Sequence, residues 1–237
     1  MTGDRYELCG IEMPDFIPYV EEMLDITIDP NDVLSEVKDK PAKEPKINTA
    51  FFDEVKSNFP ENRYTIDDAE RLIHSQGQTT DEVYKALYLQ IDKMTDMVFY
   101  IESEEEAKRL IQLAAEHQVC LVPYGGGTSV SNALQIPEQE QRIVVAVDTR
   151  RMDAIESIDE EDRRVTVQSG ITGERLEKLL QEKGFTVGHE PDSIEFSTLG
   201  GWISTNASGM KKNRYGNIED IVAVSYTHLT LPTILLV

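Results

Sequence analysis

From Asp96 onward, short apolar runs alternate with amphipathic stretches, and that alternation predicts most of the regular structure of the chain. Residues 97–101 form an apolar run of strand length, which predicts a buried strand. Ser103 with Glu106 makes a capping-box sequence, and Ala107, Leu110, Ile111 and Ala114 follow at helical spacing, so a helix is expected through His117. A second strand over residues 119–123 runs directly into Tyr124, Gly125, Gly126, Gly127, Thr128, Ser129, Val130 and Ser131. A strand, helix, strand unit that ends in a glycine loop is where ligand loops sit in α/β layers. Residues 143–148, 154–158 and 165–168 predict further strands. Residues 172–183 predict a helix with Leu176, Leu179 and Leu180 inward and Gly184 as its stop. The fold class implied is α+β.

Upstream of Asp96 the texture differs. Residues 1–90 are acidic, nearly free of glycine, and carry a lysine- and proline-containing spacer over residues 38–46, which predicts an N-terminal helical extension with a linker. Residues 64–90 place Ala69, Leu72 and Ile73, then Val83, Ala86 and Leu87, at mixed helical spacing, so two short helices around Gly77 are expected. No catalytic motif is visible there.

Composition sets outer bounds. The chain has 237 residues, 40% of them hydrophobic, enough for one large domain or two small ones. No run approaches the roughly 20 consecutive apolar residues of a membrane-spanning helix. The first residues lack the basic-then-apolar pattern of a secretory signal, and Cys9 and Cys120 are too few and too distant for a disulfide scaffold or a zinc site. No metal site is therefore expected, and a reducing compartment is the default. A formal charge of -21 opposes nucleic acid as a partner but leaves room for a small phosphate ligand held by local backbone donors. Lys211, Lys212 and Arg214 form the one basic cluster, readable as a solvated loop or as a functional group of charges.

Eleven of the fourteen glycines lie after residue 124, which places backbone-mediated chemistry in the second half of the chain. Gly125, Gly126 and Gly127 remove every Cβ from one loop, so main-chain N–H groups can approach an anion, with Thr128 and Ser129 adding hydroxyls. A flexible turn is the competing reading of the same residues. The loop lacks the P-loop lysine, and Val130 stands where a dinucleotide fingerprint has its third glycine, so neither an ATPase loop nor an ordinary NAD fold is expected. A second cluster runs from Gly188 through His189, Glu190, Pro191, Asp192, Ser193, Ile194, Glu195, Phe196, Ser197 and Thr198. A third, over residues 199–209, offers small residues including Thr205, Asn206, Ala207 and Ser208, against which a flat cofactor or another backbone could lie. His189 is either a hydrogen-bonded structural side chain or a candidate catalytic group, Trp202 is expected in the core, and the other histidines look incidental.

The segments PYGGGTSVS, GHEPDSIEFSTLGGW and STNASGMKKNRYGNIED together resemble the FAD-binding domain shared by vanillyl-alcohol oxidase and p-cresol methylhydroxylase. Their extended wording is similar to the alkyldihydroxyacetonephosphate synthase family, strongly after Asp96 and weakly before it. The resemblance implies a two-subdomain FAD-binding fold over residues 91–224, incomplete at its C-terminal end, behind the helical extension of residues 1–90. It implies that Pro123, Tyr124 and Gly125 to Ser129 wrap the FAD pyrophosphate. Pro191, Asp192 to Thr198, and Thr205 to Ser208 would then complete the phosphate and flavin-edge contacts. Asn206 departs from the arginine expected in many members.

For an intact protein the resemblance implies exchange of the acyl group of acyl-dihydroxyacetone phosphate for a fatty alcohol, without net redox change and with the flavin as electron sink. Implied with it are a homodimer, peripheral membrane association and a peroxisomal location, although no targeting signal is legible. Residues 225–237 resemble nothing in the family, and the substrate-binding cap with the remaining catalytic residues is expected beyond this chain. Two rivals stand beside this reading: a flavin oxidase or dehydrogenase of 2-hydroxy acids such as D-lactate, and a non-catalytic fragment that binds FAD weakly.

Overall fold

A computed structural model of the chain describes residues 10–29, 31, 43–88, 91 and 93–223. Residues 225–237, expected to form a tail foreign to the family, lie outside the described residues. The chain divides into two compact units, Met1–Asp39 and Lys40–Val237. In the first unit, helix α1 (Phe16–Leu24) ends at Asp25, whose left-handed backbone (φ 53°) lets its N–H return to the Glu21 carbonyl.

The second unit begins with α2 (Thr49–Asn58), opened by Asn48, whose side chain accepts the Phe51 N–H at 3.2 Å. Strand β1 (Tyr64–Thr65) precedes α3 (Asp68–Ile73) and α4 (Thr80–Leu87), the latter opened by a reciprocal capping box between Thr79 and Glu82. Then come β2 (Met97–Tyr100), α5 (Glu104–Glu116), β3 (Cys120–Tyr124) and β4 (Val144–Asp148). A hairpin of β5 (Ile155–Asp159) and β6 (Arg164–Val167) leads into α6 (Gly173–Gln181). The described chain finishes with α7 (Leu199–Thr205), α8 (Lys212–Tyr215) and α9 (Ile218–Ile221).

The strands forecast from apolar runs are all present, displaced by a residue or so at their ends. Ser103 caps α5 as expected, accepting the Glu106 N–H at 3.2 Å, but the Glu106 carboxylate reaches back to the Glu102 N–H rather than to Ser103. Arg63 explains the difference, because its guanidinium binds the same carboxylate at 2.8 Å.

The main sheet has the order β1-β2-β4-β3, with β2, β4 and β3 parallel and β1 antiparallel at the edge. Thus β4 inserts between the two strands joined by α5. Parallel strands covered on both faces are apolar throughout, and Met97, Val98, Phe99, Val145 and Ala146 are accordingly buried. Phe51, Phe52, Val55 and Phe59, from the region expected to be an extension, share one core with Phe99, Leu110, Leu113 and Val145. Phe59 and Phe99 meet edge to face at 4.7 Å between ring centroids. A second core joins Ile171, Leu176 and Leu180 to the hairpin residues Ile155, Ile158, Val165 and Val167. Both cores lie within the second compact unit.

The apolar spacing misreads α3 and α4. Ile73 and Leu87 are exposed, whereas Arg71, His74 and Glu82 are buried. Each buried polar group has partners: the Arg71 guanidinium donates to the Thr95 carbonyl at 2.9 Å and to the Lys43 carbonyl at 2.7 Å, His74 meets Asp148, and Glu82 accepts from the nearby Gly77 and Thr79. Burying such groups is tolerable only when they are hydrogen-bonded, which fixes these helices against the sheet by polar contacts.

Candidate functional site

The glycine loop leaves the carboxyl end of β3, where Tyr124 lies level with Asp148 at the carboxyl end of β4. Ligands of open parallel sheets bind beyond this end of the strands. The loop is pressed against the second cluster. A Cβ on Gly125 would stand 2.3 Å from Thr198 Oγ1, and one on Gly126 would stand 2.0 Å from the Phe196 carbonyl oxygen. Gly127 has φ +68°, and a Cβ there would meet the Tyr124 hydroxyl at 2.1 Å. The triple glycine is therefore a fixed close contact between two segments, which disfavours the flexible-turn reading.

Among the described residues, none of the backbone N–H groups from Gly125 to Ser129 donates a hydrogen bond within the chain. Backbone donors so placed call for a partner, and a run of them on a glycine loop is suited to an anion. This observation fits a diphosphate.

The second cluster folds into consecutive tight turns. Ile194 N–H returns to the Pro191 carbonyl at 3.1 Å, and Phe196 and Ser197 N–H both return to the Ser193 carbonyl. Thr198 is buried, bridges Thr172, and caps α7 by accepting the Gly201 N–H at 3.2 Å. Trp202 is in the core as expected, and its indole N–H donates to Ser197 Oγ at 2.7 Å. The third cluster is thereby tied to the second. Asn206 ends α7 with φ 50°, ψ 51°, a left-handed conformation that asparagine adopts more readily than most side chains. Its backbone role supplies a physical reason for asparagine here that the loss of a charge does not. Beyond it, Met210 N–H donates to the Glu190 carbonyl at 2.8 Å, Lys211 pairs with the Glu190 carboxylate, and Arg214 lies over the Tyr215 ring.

So the structure brings Gly125 and Gly126 onto Phe196, Ser197 and Thr198, folds Gly127 back over Tyr124, and places Thr205, Asn206 and Ala207 at the far end of α7. Pro123 is exposed in β3, Ser208 Oγ donates to the Asn217 side chain at 2.9 Å, and Thr205 Oγ1 donates to the Gly201 carbonyl. Asp192 and Glu195 belong to the turns that carry Ser193 and Phe196.

His189 is buried against Trp202, with ring centroids 4.8 Å apart. Neither ring nitrogen has a hydrogen-bond partner among the described residues, so the reading of a hydrogen-bonded structural histidine is not met there. Burial lowers its affinity for a proton, against a smaller opposing pull from Glu219.

One residue dismissed as incidental is central. His74, at the C-cap of α3, is buried directly under the loop: its ring lies 4.3 Å from the Tyr124 ring, and Nε2 is 3.0 Å from Asp148 Oδ2. Nδ1 faces the Glu70 carbonyl at 2.7 Å, and Arg150 holds the same Asp148 carboxylate at 2.5 Å. Burial pushes the Asp148 carboxyl up, but the hydrogen bonds from His74 and Arg150 outweigh it and keep its pKa below the ordinary value. Burial and the hydrogen bond to Glu70 raise the Tyr100 phenol. No sequence motif marks this group, although a histidine in a segment of poor apolar periodicity was a signal available.

The FAD binding domain family matches residues 95–228. Alkyldihydroxyacetonephosphate synthase of Caenorhabditis elegans is 45% identical over 225 residues, covering 93% of this chain and 37% of that protein. The synthase of Dictyostelium discoideum is 37% identical over 186 residues, covering 78% and 30%. A solved structure of alkyldihydroxyacetonephosphate synthase superposes with a TM-score of 0.77 at 33% identity, over 89% of this chain and 39% of that one. The chain thus spans well under half the length of the relatives it matches. With the unpaired amides of the glycine loop, the packing of the second cluster against it and a family match over more than half its residues, the chain belongs to the FAD-binding domain family, whose cofactor is FAD.

Proposed function

We propose that this chain supplies the diphosphate-holding part of the FAD site of an alkyldihydroxyacetonephosphate synthase. In the reaction, the acyl group of acyl-dihydroxyacetone phosphate leaves as a carboxylate and a fatty alcohol takes its place, making an ether bond. The observation that carries the reading is the run of unpaired N–H groups from Gly125 to Ser129, seated on Phe196 and Thr198. The kinship with named synthases supports the choice among flavin enzymes.

On this reading Pro123 to Ser129 wrap the diphosphate, with the loop amides and the Thr128 and Ser129 hydroxyls as donors. Pro191 to Thr198, and Thr205 to Ser208, lie along the phosphate and flavin edge. FAD supplies a ring that accepts and returns an electron pair, which suits a substitution without net redox change. On this reading the residues of this chain hold and orient the cofactor's diphosphate. His189, buried against Trp202 and with neither ring nitrogen hydrogen-bonded among the described residues, is the candidate proton-transfer group of this chain. Peripheral membrane association, a homodimer and a peroxisomal location belong to the same proposal, supported by kinship alone.

The test is direct. The full-length protein that contains this segment, supplied with acyl-dihydroxyacetone phosphate and a labelled fatty alcohol, is expected to form labelled ether lipid and to leave D-lactate unoxidised. Oxidation of D-lactate without ether formation would replace this reading with the 2-hydroxy-acid rival. Coincidence of the tagged protein with a peroxisomal marker tests the location.

A further inference from the structure

The region matched to the family begins at residue 95, yet the glycine loop is also held at both ends by residues before it. Two contacts grip it from α3 and the turn that follows. At the near end, His74 lies under Tyr124, the last residue before the loop, and the Tyr124 hydroxyl donates to the Ile73 carbonyl at 3.3 Å. At the far end, Gln78 N–H donates to the Ser129 carbonyl at 2.7 Å, and a Cβ on Gly77 would stand 2.4 Å from that same oxygen.

The segment between these grips is itself braced. Gly77 N–H donates to the buried Glu82 carboxylate at 3.0 Å, and Glu82 also accepts the Thr79 hydroxyl at 2.7 Å. His74 is tied to Asp148, the residue level with Tyr124 on the neighbouring strand, while Thr149 N–H donates to the Tyr124 carbonyl at 3.0 Å. Both ends of the loop are thus fixed to a scaffold made of α3, the Gly77 turn and the end of β4. A loop whose amides have no partner of their own cannot hold its shape by internal hydrogen bonds, so its shape must come from such external grips.

We propose that residues 70–82 are a buttress for the cofactor loop, with His74 and Gly77 as positioning residues that hold its amides in the geometry a diphosphate requires. The inference rests on the reading of this loop as the FAD diphosphate site. It goes beyond that reading in making a segment outside the matched family region part of the cofactor grip, acting through Tyr124, Asp148 and Ser129 and without contact to FAD.

The experiment uses His74→Ala, His74→Gln, Gly77→Ala and Gly126→Ala in the whole protein, with two readouts. The first is hydrogen exchange of the Gln78 and Thr149 amides, which report the two grips, with the β2–β4 ladder as internal reference. The second is FAD dissociation, followed by flavin fluorescence well below the unfolding temperature. His74→Ala and Gly77→Ala are each expected to speed exchange at their own grip and to weaken FAD binding about tenfold, or ~1.4 kcal/mol. His74→Gln, which keeps a donor toward Asp148, is expected to restore most of both. A merely structural histidine would lower the unfolding temperature without this local pattern or this rescue.

Unchanged exchange at Gln78 and Thr149 in both variants overturns the buttress. Faster exchange with unchanged FAD affinity also overturns it, provided Gly126→Ala still weakens binding. If Gly126→Ala leaves FAD affinity untouched as well, the reading of the loop as the diphosphate site fails, and the buttress as a cofactor device fails with it.

Discussion

Replacing Gly126 by alanine is the sharpest probe of the loop. The added Cβ would lie 2.0 Å from the Phe196 carbonyl oxygen, 2.6 Å from its carbonyl carbon and 3.0 Å from Ser197 Cα. Ordinary contact begins at 3.4 Å, and every neighbour named is backbone, so no side chain can swing aside. The loop and the turn must separate by about 1.4 Å, a backbone overpacking that costs roughly 1–3 kcal/mol. If that strain falls on the cofactor-bound geometry, FAD affinity drops about 5- to 150-fold at ~1.4 kcal/mol per decade. The control is Gly201→Ala in α7, where the added Cβ meets only Thr198 Oγ1 at 3.2 Å. There, alanine gains up to about 1 kcal/mol of helix propensity over glycine, which offsets the small squeeze. Titration of the apo-protein with FAD, paired with thermal unfolding, reads both variants. Wild-type affinity in Gly126→Ala, or equal damage from Gly201→Ala, would refute the claim that loop and turn form one cofactor surface.

Other outcomes follow from the same contacts. Phe99→Ala removes the ring that meets Phe59 at 4.7 Å in the main core and should cost ~3–5 kcal/mol in urea unfolding. Trp202→Phe keeps the bulk but removes the indole donor to Ser197, so a loss of about 1 kcal/mol is expected, with Trp202→Ala losing ~3–5 kcal/mol. Stability should also depend on pH through His189, whose folded pKa lies below its ordinary value of 6.5. As pH falls through about 6.5 the unfolded chain takes up a proton that the folded chain refuses. Stability from this group is therefore complete above that pH and declines below it. Urea midpoints measured on either side should show the decline, and His189→Leu should lack it. Asp148, with its folded pKa also lowered, contributes stability that is present above the ordinary carboxylate range and lost as pH falls through its folded value.

Strands and helices from Met97 to Gln181 were legible because short-range patterns specify them: an apolar run such as Met97–Tyr100 has few alternatives to a buried strand, and Ser103 and Thr172 each cap the helix they precede. The glycine loop and the two later clusters were legible as composition, since few contexts tolerate so many small residues together. Their meeting was not. That Gly126 needs to be glycine because of Phe196, 70 positions on, is a property of the folded backbone, and no local window contains it.

The segment 64–88 marks the limit most clearly. Its sequence dictated two short helices around Gly77, but their inward faces carry Arg71, His74 and Glu82, while Ile73 and Leu87 point to solvent. Apolar periodicity reads burial correctly when burial is driven by removing hydrocarbon from water. Here the burial of Arg71 and His74 depends on hydrogen bonds to the Thr95 carbonyl and the Asp148 carboxylate, acceptors that arrive only when the sheet has assembled. The sequence by itself therefore determined which elements form and where a phosphate-holding backbone lies. Tertiary structure alone decided what holds that backbone in place, because a polar contact between His74 and Asp148 has no local signature and gains its strength only inside the finished core.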